Sequence, residues 1–186
     1  APKARPSSTP TAAEARMRRI LDTFYRGLMG GAALSMLAAF GCVMLSIVDR
    51  QLAWGLRGLD AYAGYAIAAA LFLALPGTLQ RGEHIRVTLL LQAVPARWRG
   101  ALENWSLLAA LTLCAALAVF AVRLVWVSYT TQDISQGSDA TPLWVPQLSM
   151  ALGCAGLAIA FADALWSRWQ GRTFLAEPAA QPASME

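Results

Sequence analysis

The residues best equipped for chemistry sit together near the middle of the chain, in the heptapeptide Arg81-Gly82-Glu83-His84-Ile85-Arg86-Val87. Four ionisable side chains fall within six residues there, among them the only histidine of the sequence. A histidine beside a carboxylate can relay a proton near neutral pH or hold a metal ion. Both roles need partners, and the rest of the sequence does not supply them. There is no second histidine, and Cys42, Cys114 and Cys154 each stand alone inside an apolar run. An odd number of such cysteines, with no CxxC spacing, reads as small packing residues and not as a disulfide framework or a metal site. No GxxxxGK[ST] phosphate loop occurs. The sequence therefore assigns no catalytic residue, no cofactor and no metal, and the chain is read as a non-enzyme.

Hydrocarbon surrounds this polar island. Of 186 residues, 57% are hydrophobic and only 14% charged, where a soluble domain carries about 25% charged residues. The charges gather at the two ends and in short islands. Between them lie apolar runs at about 27–48, 61–80, 104–127 and 142–164. Each is near the ~20 residues a helix needs to cross a hydrocarbon core ~30 Å thick. The seven tryptophans fall at or near the ends of these runs, as in an interfacial aromatic belt. The predicted fold class is all-α, a polytopic membrane protein with four transmembrane helices.

The remaining segments follow from composition. Residues 1–15, rich in Pro, Ser, Thr and Ala, read as a disordered tail, 16–172 as the four-helix membrane domain, and 173–186 as a second disordered tail. Arg16 to Arg19 form a basic, amphipathic approach, with Ile20, Leu21 and Phe24 at the headgroup boundary. Thr88 to Pro95 is apolar but too short to cross, so an in-plane amphipathic helix is expected between spans two and three.

Four spans put both termini on one side, and the basic residues choose that side. Twelve Lys and Arg lie in the two tails and the 81–100 loop, against three (Arg50, Arg57 and Arg123) on the opposite side. The positive-inside rule then predicts both termini, and the heptapeptide, in the cytoplasm. Positive charge at that surface is expected without any catalysis. The formal net charge of +4 is thus a signature of topology, and no nucleic-acid partner is implied.

Small residues recur at helical spacing in two places. Gly27, Gly31, Ser35, Ala38 and Cys42 form one stripe, and Ser149, Gly153, Gly156, Ala160 and Ala164 another. Such stripes let helix backbones approach closely in a membrane. Asp60 opens span two and Arg123 lies near the same end of span three, and the two are expected to pair. No span carries a charge at its centre, where one would cost at least ~2.5–3.5 kcal/mol. A permease acting alone would need polar groups near the midplane, and a haem anchor would need axial ligands within the spans. The chain therefore reads as a scaffold or subunit whose partner does the chemistry.

The heptapeptide, followed by Leu89-Leu90 and closed by Pro95, resembles a signature of the small permease subunit (Q-type) of TRAP (tripartite ATP-independent periplasmic) transporters. An acidic residue opening span two and the Pro-Trp pattern around Pro142 and Trp144 add to the likeness, which covers roughly Phe24 to Trp169. Two positions depart from the family pattern: Thr88 stands where an Asp is common, and Asp60 where Glu is frequent. The resemblance implies a non-enzymatic scaffold in a bacterial inner membrane, paired with a large permease subunit. That partner would carry the substrate and sodium sites, and a periplasmic substrate-binding protein would deliver an organic acid. Arg81, Glu83, His84 and Arg86 would then lie at a subunit or lipid interface. The alternative is a generic four-helix anchor for another complex, such as a redox enzyme.

Overall fold

A computed structural model describes residues 12–80, 96–137 and 140–169. It contains four helices: α1 (Ala12–Leu52), α2 (Leu59–Gln80), α3 (Ala96–Thr130) and α4 (Trp144–Trp169). Each holds a stretch long and apolar enough to cross a membrane, at Arg16–Leu52, Leu59–Gln80, Gly100–Thr130 and Trp144–Ser167. No strand occurs among the described residues, apart from an isolated bridge between Ile134 and Pro142.

The chain punctuates its helices with local chemistry. Helix α1 stops at Ala53, whose φ of +53° is a left-handed cap. Gly58, at φ +84°, turns the chain into α2, where the Tyr62 amide donates to its carbonyl (3.0 Å). Asp60 then sits in the first turn, where a negative charge meets the positive end of the helix dipole. Helix α3 stops at Gln132, with φ +56°. The Thr130 and Thr131 hydroxyls donate to the Val127 carbonyl, at 2.9 and 2.8 Å, alongside the Thr131 amide (2.8 Å), and so add to the hydrogen bonds that close the last turn. Pro146 lies in the first turn of α4, where the amide it lacks would have had no helical partner.

The helices pack in the order α1–α2–α4–α3. Helix α1 runs antiparallel to α2: Ser46 meets Asp60 near one end and Asp22 meets Gln80 near the other. Helices α2 and α4 run parallel, since Phe72 and Pro76 lie beside Gly153 and Gly156 in the same order. Helices α3 and α4 form an antiparallel hairpin through residues 131–143. Residues 53–58 and 131–143 therefore share one end of the bundle, called here the loop end. The opposite, terminal end carries the start of α1 and the end of α4.

Tryptophans mark both levels. Trp54 and Trp126 are exposed at the loop end, and Trp98, Trp105 and Trp166 toward the terminal end. Large aliphatic and aromatic side chains such as Leu34, Leu37, Phe40, Leu113, Val119 and Phe120 point outward between them. In water such a surface would be a liability; in a bilayer it is the ordinary exterior of a spanning helix.

Candidate functional site

Among the described residues, the surfaces to consider are those that hold the helices at fixed positions and those left for partners. The tightest contact is the crossing of α2 and α4, and a proline builds it. Pro76, within α2, has no N–H to give to the carbonyl of Phe72 four residues earlier, and its ring pushes against that carbonyl. Gly153 of α4 packs against this freed group: a Cβ on Gly153 would run into the carbonyl carbon and oxygen of Phe72. One turn further on, a Cβ on Gly156 would lie 2.9 Å from both Pro76 Cγ and Leu28 Cδ1. Gly77 is used in the same way, as the seat of the Met29 side chain.

These contacts lead into a small core at the terminal end, made by Tyr25, Leu79 and Ala160 with Leu21, Leu157 and Phe161 around them. Tyr25 is 2% exposed, and its hydroxyl is buried with no hydrogen-bond partner among the described residues. Beside it Gln80 Nε2 donates to Asp22 Oδ1 at 2.9 Å, tying α2 to α1.

A second set of polar contacts closes the loop end. Ser46 donates to Asp60 Oδ1 (2.9 Å), Arg50 pairs with Asp60 Oδ2 (3.5 Å), and the Leu56 amide donates to Asp49 Oδ1 (2.9 Å). Helix α2 also holds the second loop. The Tyr65 hydroxyl donates to the Ser135 hydroxyl at 2.9 Å, and the Thr141 hydroxyl donates to that of Tyr62 at 3.2 Å. The Tyr129 and Trp144 rings meet edge to face, with centroids 5.7 Å apart, at the base of the same loop.

The ion pair expected between Asp60 and Arg123 is corrected here: Asp60 pairs with Arg50, and Arg123 is exposed on α3. The physical reason is the packing order. Helix α1 lies directly along α2, whereas α4 separates α2 from α3. Both members of the Arg50–Asp60 pair are about three-quarters exposed, so Coulomb attraction is largely screened. Arg50→Ala is expected to lower thermal stability in detergent by less than about 1 kcal/mol. Tyr65→Phe, which removes the bond from α2 to the Ser135 hydroxyl, is expected to raise amide hydrogen exchange in residues 131–137 while leaving α4 protected.

The two small-residue stripes fare differently. On α4, Gly153, Gly156, Ala160 and Ala164 are buried and Ser149 is half-buried. On α1, Gly31, Ser35 and Cys42 are half-buried, while Gly27 and Ala38 face outward. The buried face of α1 is instead Tyr25, Leu28, Ala32 and Ala39, about a quarter turn away at 100° per residue. Large side chains of α1 fill the space that the small residues of α4 leave. The heptapeptide residues Arg81, Glu83, His84 and Arg86 lie outside the described residues, as does the segment expected to form an in-plane helix.

Among the described residues no group of three or more His, Cys, Asp or Glu is arranged to hold a metal ion. Cys42, Cys114 and Cys154 are free thiols. Sequence reasoning passed over Gly77 and the Tyr62–Tyr65 pair. Gly77 had a signal, since it directly follows Pro76 inside an apolar span. The tyrosines had a weaker one, two hydroxyls a turn apart at the mouth of a helix.

The helix order, the close α2–α4 crossing and the outward apolar faces now stand beside one comparison. The family model described as "Tripartite ATP-independent periplasmic transporters, DctQ component" matches residues 39–171. The chain belongs to this family. It is a small permease component of a TRAP transporter and a multi-pass membrane protein. No curated protein and no solved structure matches it. The match takes in all of α2 and α3, the α2–α4 crossing and both loops of the loop end, while the contacts made by Leu21, Asp22, Tyr25, Leu28 and Met29 of α1 lie before it.

Proposed function

We propose that this DctQ component is the fixed scaffold of a sodium-driven importer of an organic acid. In that reading a large permease subunit carries the substrate and sodium sites and moves. This chain stays still, in a bacterial inner membrane with both termini in the cytoplasm, and a periplasmic binding protein delivers the substrate. The observation that carries the reading is the family match over residues 39–171. The packing supports it in a specific way. The α2–α4 crossing leaves no room for sliding, because Gly153 is seated against the Phe72 backbone. Helices that cannot slide suit a scaffold better than a moving element.

The charge distribution supports the same division of labour. The 12-to-3 bias of basic residues favours cytoplasmic termini. The acidic residues of the described helices lie toward the helix ends, Glu14, Asp22, Glu103 and Asp163 at the terminal end and Asp49 and Asp60 at the loop end. A substrate-carrying permease places such groups near the midplane. Arg81, Glu83, His84 and Arg86 are assigned to the cytoplasmic surface, as contacts to the large subunit or to lipid headgroups. His84→Ala with Arg86→Ala is expected to weaken assembly of the complex.

Co-purification tests the proposal. The tagged chain, expressed with its neighbouring reading frames and extracted in mild detergent, is expected to bring down a much larger, many-spanning permease. A haem absorption band or a bound soluble oxidoreductase in its place would overturn the reading in favour of a redox-complex anchor.

A further inference from the structure

Among the described residues, one face of α1 is left largely open by the other helices, apart from the Phe24 ring edge that reaches Gly156 of α4, and it changes character along its length. At the terminal end, Arg16, Arg19, Ile20, Thr23 and Phe24 line a shallow concavity of about 460 Å³. Toward the middle of the helix the same face continues through Gly27, Gly30 and Leu34, since positions 16, 20, 23, 27, 30 and 34 recur at helical spacing. Gly27 and Gly30 have open space where a side chain would be: no atom lies within 4 Å of a Cβ built on either. The result is a shallow furrow with a basic mouth.

The level of that mouth follows from the packing. Asp22 is hydrogen-bonded to Gln80, the last residue of α2. Helix α2, with 22 residues, is about 33 Å long at 1.5 Å per residue, close to the ~30 Å hydrocarbon core. Asp22 therefore marks the edge of the hydrocarbon. Arg19 and Arg16 lie roughly 4.5 and 9 Å beyond it along the helix axis, the depth of the headgroup layer. Ile20 and Phe24 stand at the boundary, and the glycines run inward from there. The Thr23 hydroxyl is turned back onto the Arg19 carbonyl (2.8 Å) and Asp22 is engaged by Gln80, so the polar character of the mouth is that of the Arg16 and Arg19 guanidinium groups, with the exposed Arg26 beside the furrow two turns beyond Arg19.

The geometry points to a binding site for one anionic phospholipid, its phosphate held by Arg16 and Arg19 and an acyl chain laid along Ile20, Gly27 and Gly30. Planar guanidinium forks match phosphate oxygens in a bidentate way. Among the described residues no carboxylate lines the concavity to meet a choline or ethanolamine headgroup, so the site favours lipids with net negative charge. The phosphate alone would be satisfied by a free anion; the apolar furrow below it selects a lipid.

Native mass spectrometry of the purified full-length chain tests the site without its permease partner, so failure here is distinguishable from failure of the scaffold reading. The probes are phosphatidylglycerol, phosphatidylcholine and water-soluble glycerophosphoglycerol. Phosphatidylglycerol is expected to stay bound where phosphatidylcholine and glycerophosphoglycerol do not. Arg16→Ala with Arg19→Ala is expected to weaken it about 25-fold, roughly 5-fold for each basic residue near a lipid surface. Arg16→Lys with Arg19→Lys should keep most of the binding, and Arg57→Ala with Arg123→Ala at the loop end should keep all of it. Gly27→Leu with Gly30→Leu, which fills the furrow in open space, should weaken lipid retention without unfolding the chain. Equal retention by the double alanine variant at the mouth, an equal loss from the loop-end pair, or equal binding of phosphatidylcholine would overturn the proposal. So would unchanged lipid retention in the double leucine variant.

Discussion

Gly153→Ala is expected to lower the stability of the folded chain in detergent by about 3 kcal/mol, the upper part of the range for overpacked sites. Alanine is the better helix former, by about 1 kcal/mol, so an ordinary site would show a gain. Here the added methyl meets the carbonyl of Phe72. That atom belongs to a helix backbone, which cannot turn aside as a side-chain tip can, so α2 or α4 must shift as a unit. Gly153→Leu should be worse and should separate α2 from α4. The control is Gly41→Ala, where nothing lies within 4 Å of the added Cβ; there the helix-forming gain of alanine is expected to show. Melting of both variants in the same detergent checks the pair. Equal effects would mean that the α2–α4 crossing is not closely packed.

The second large effect is at Tyr25, where two substitutions should move in opposite directions. Tyr25→Ala removes the largest side chain of the terminal-end core and leaves a cavity among Leu79, Ala160 and Phe161. Loss of the contacts around a buried aromatic ring costs ~3–5 kcal/mol. Tyr25→Phe keeps the ring and removes a hydroxyl that is buried without a partner among the described residues. An unsatisfied buried hydroxyl costs ~1–3 kcal/mol, so the phenylalanine variant is expected to be as stable as the parent or more stable. Denaturant or thermal unfolding followed by tryptophan fluorescence reads both. A large loss for Tyr25→Phe would show that the hydroxyl is hydrogen-bonded in the assembled protein.

These effects show where sequence alone is informative. Four spans could be read because a charge within hydrocarbon is expensive, and that rule acts on single residues without knowledge of their neighbours. The α4 stripe was legible for a related reason. Gly153, Gly156, Ala160 and Ala164 are small at helical spacing, and all four are buried. On α1, Gly31 of the stripe meets Leu73 of α2, while the most buried positions lie about a quarter turn from the stripe and include the large Tyr25 and Leu28. Tyr25 and Leu28 enter the space above Gly156 and Ala160, and a search for small residues overlooks a helix that contributes bulk.

The polar contacts were harder to foresee. Three basic residues lie at the loop end with Asp60, Arg50, Arg57 and Arg123, and the choice among them depends on which helix lies beside α2. That order is a property of the bundle and not of any one span. The link from Tyr65 to Ser135 joins residues 70 apart, and no local pattern announces it. Pro76 was visible as a kink signal, but its main consequence, a freed Phe72 carbonyl met by Gly153, needs the partner helix in place.

The division of labour between an inert scaffold and a moving permease is the central claim, and transport in proteoliposomes tests it most directly. Vesicles would contain the large permease alone, this chain alone, or both, with the periplasmic binding protein and its organic acid outside and an inward sodium gradient imposed. Uptake is predicted only when both membrane subunits are present, and it should vanish when the sodium gradient is removed. Sodium-dependent uptake by vesicles holding this chain alone, or full uptake by the large permease without it, would contradict the account.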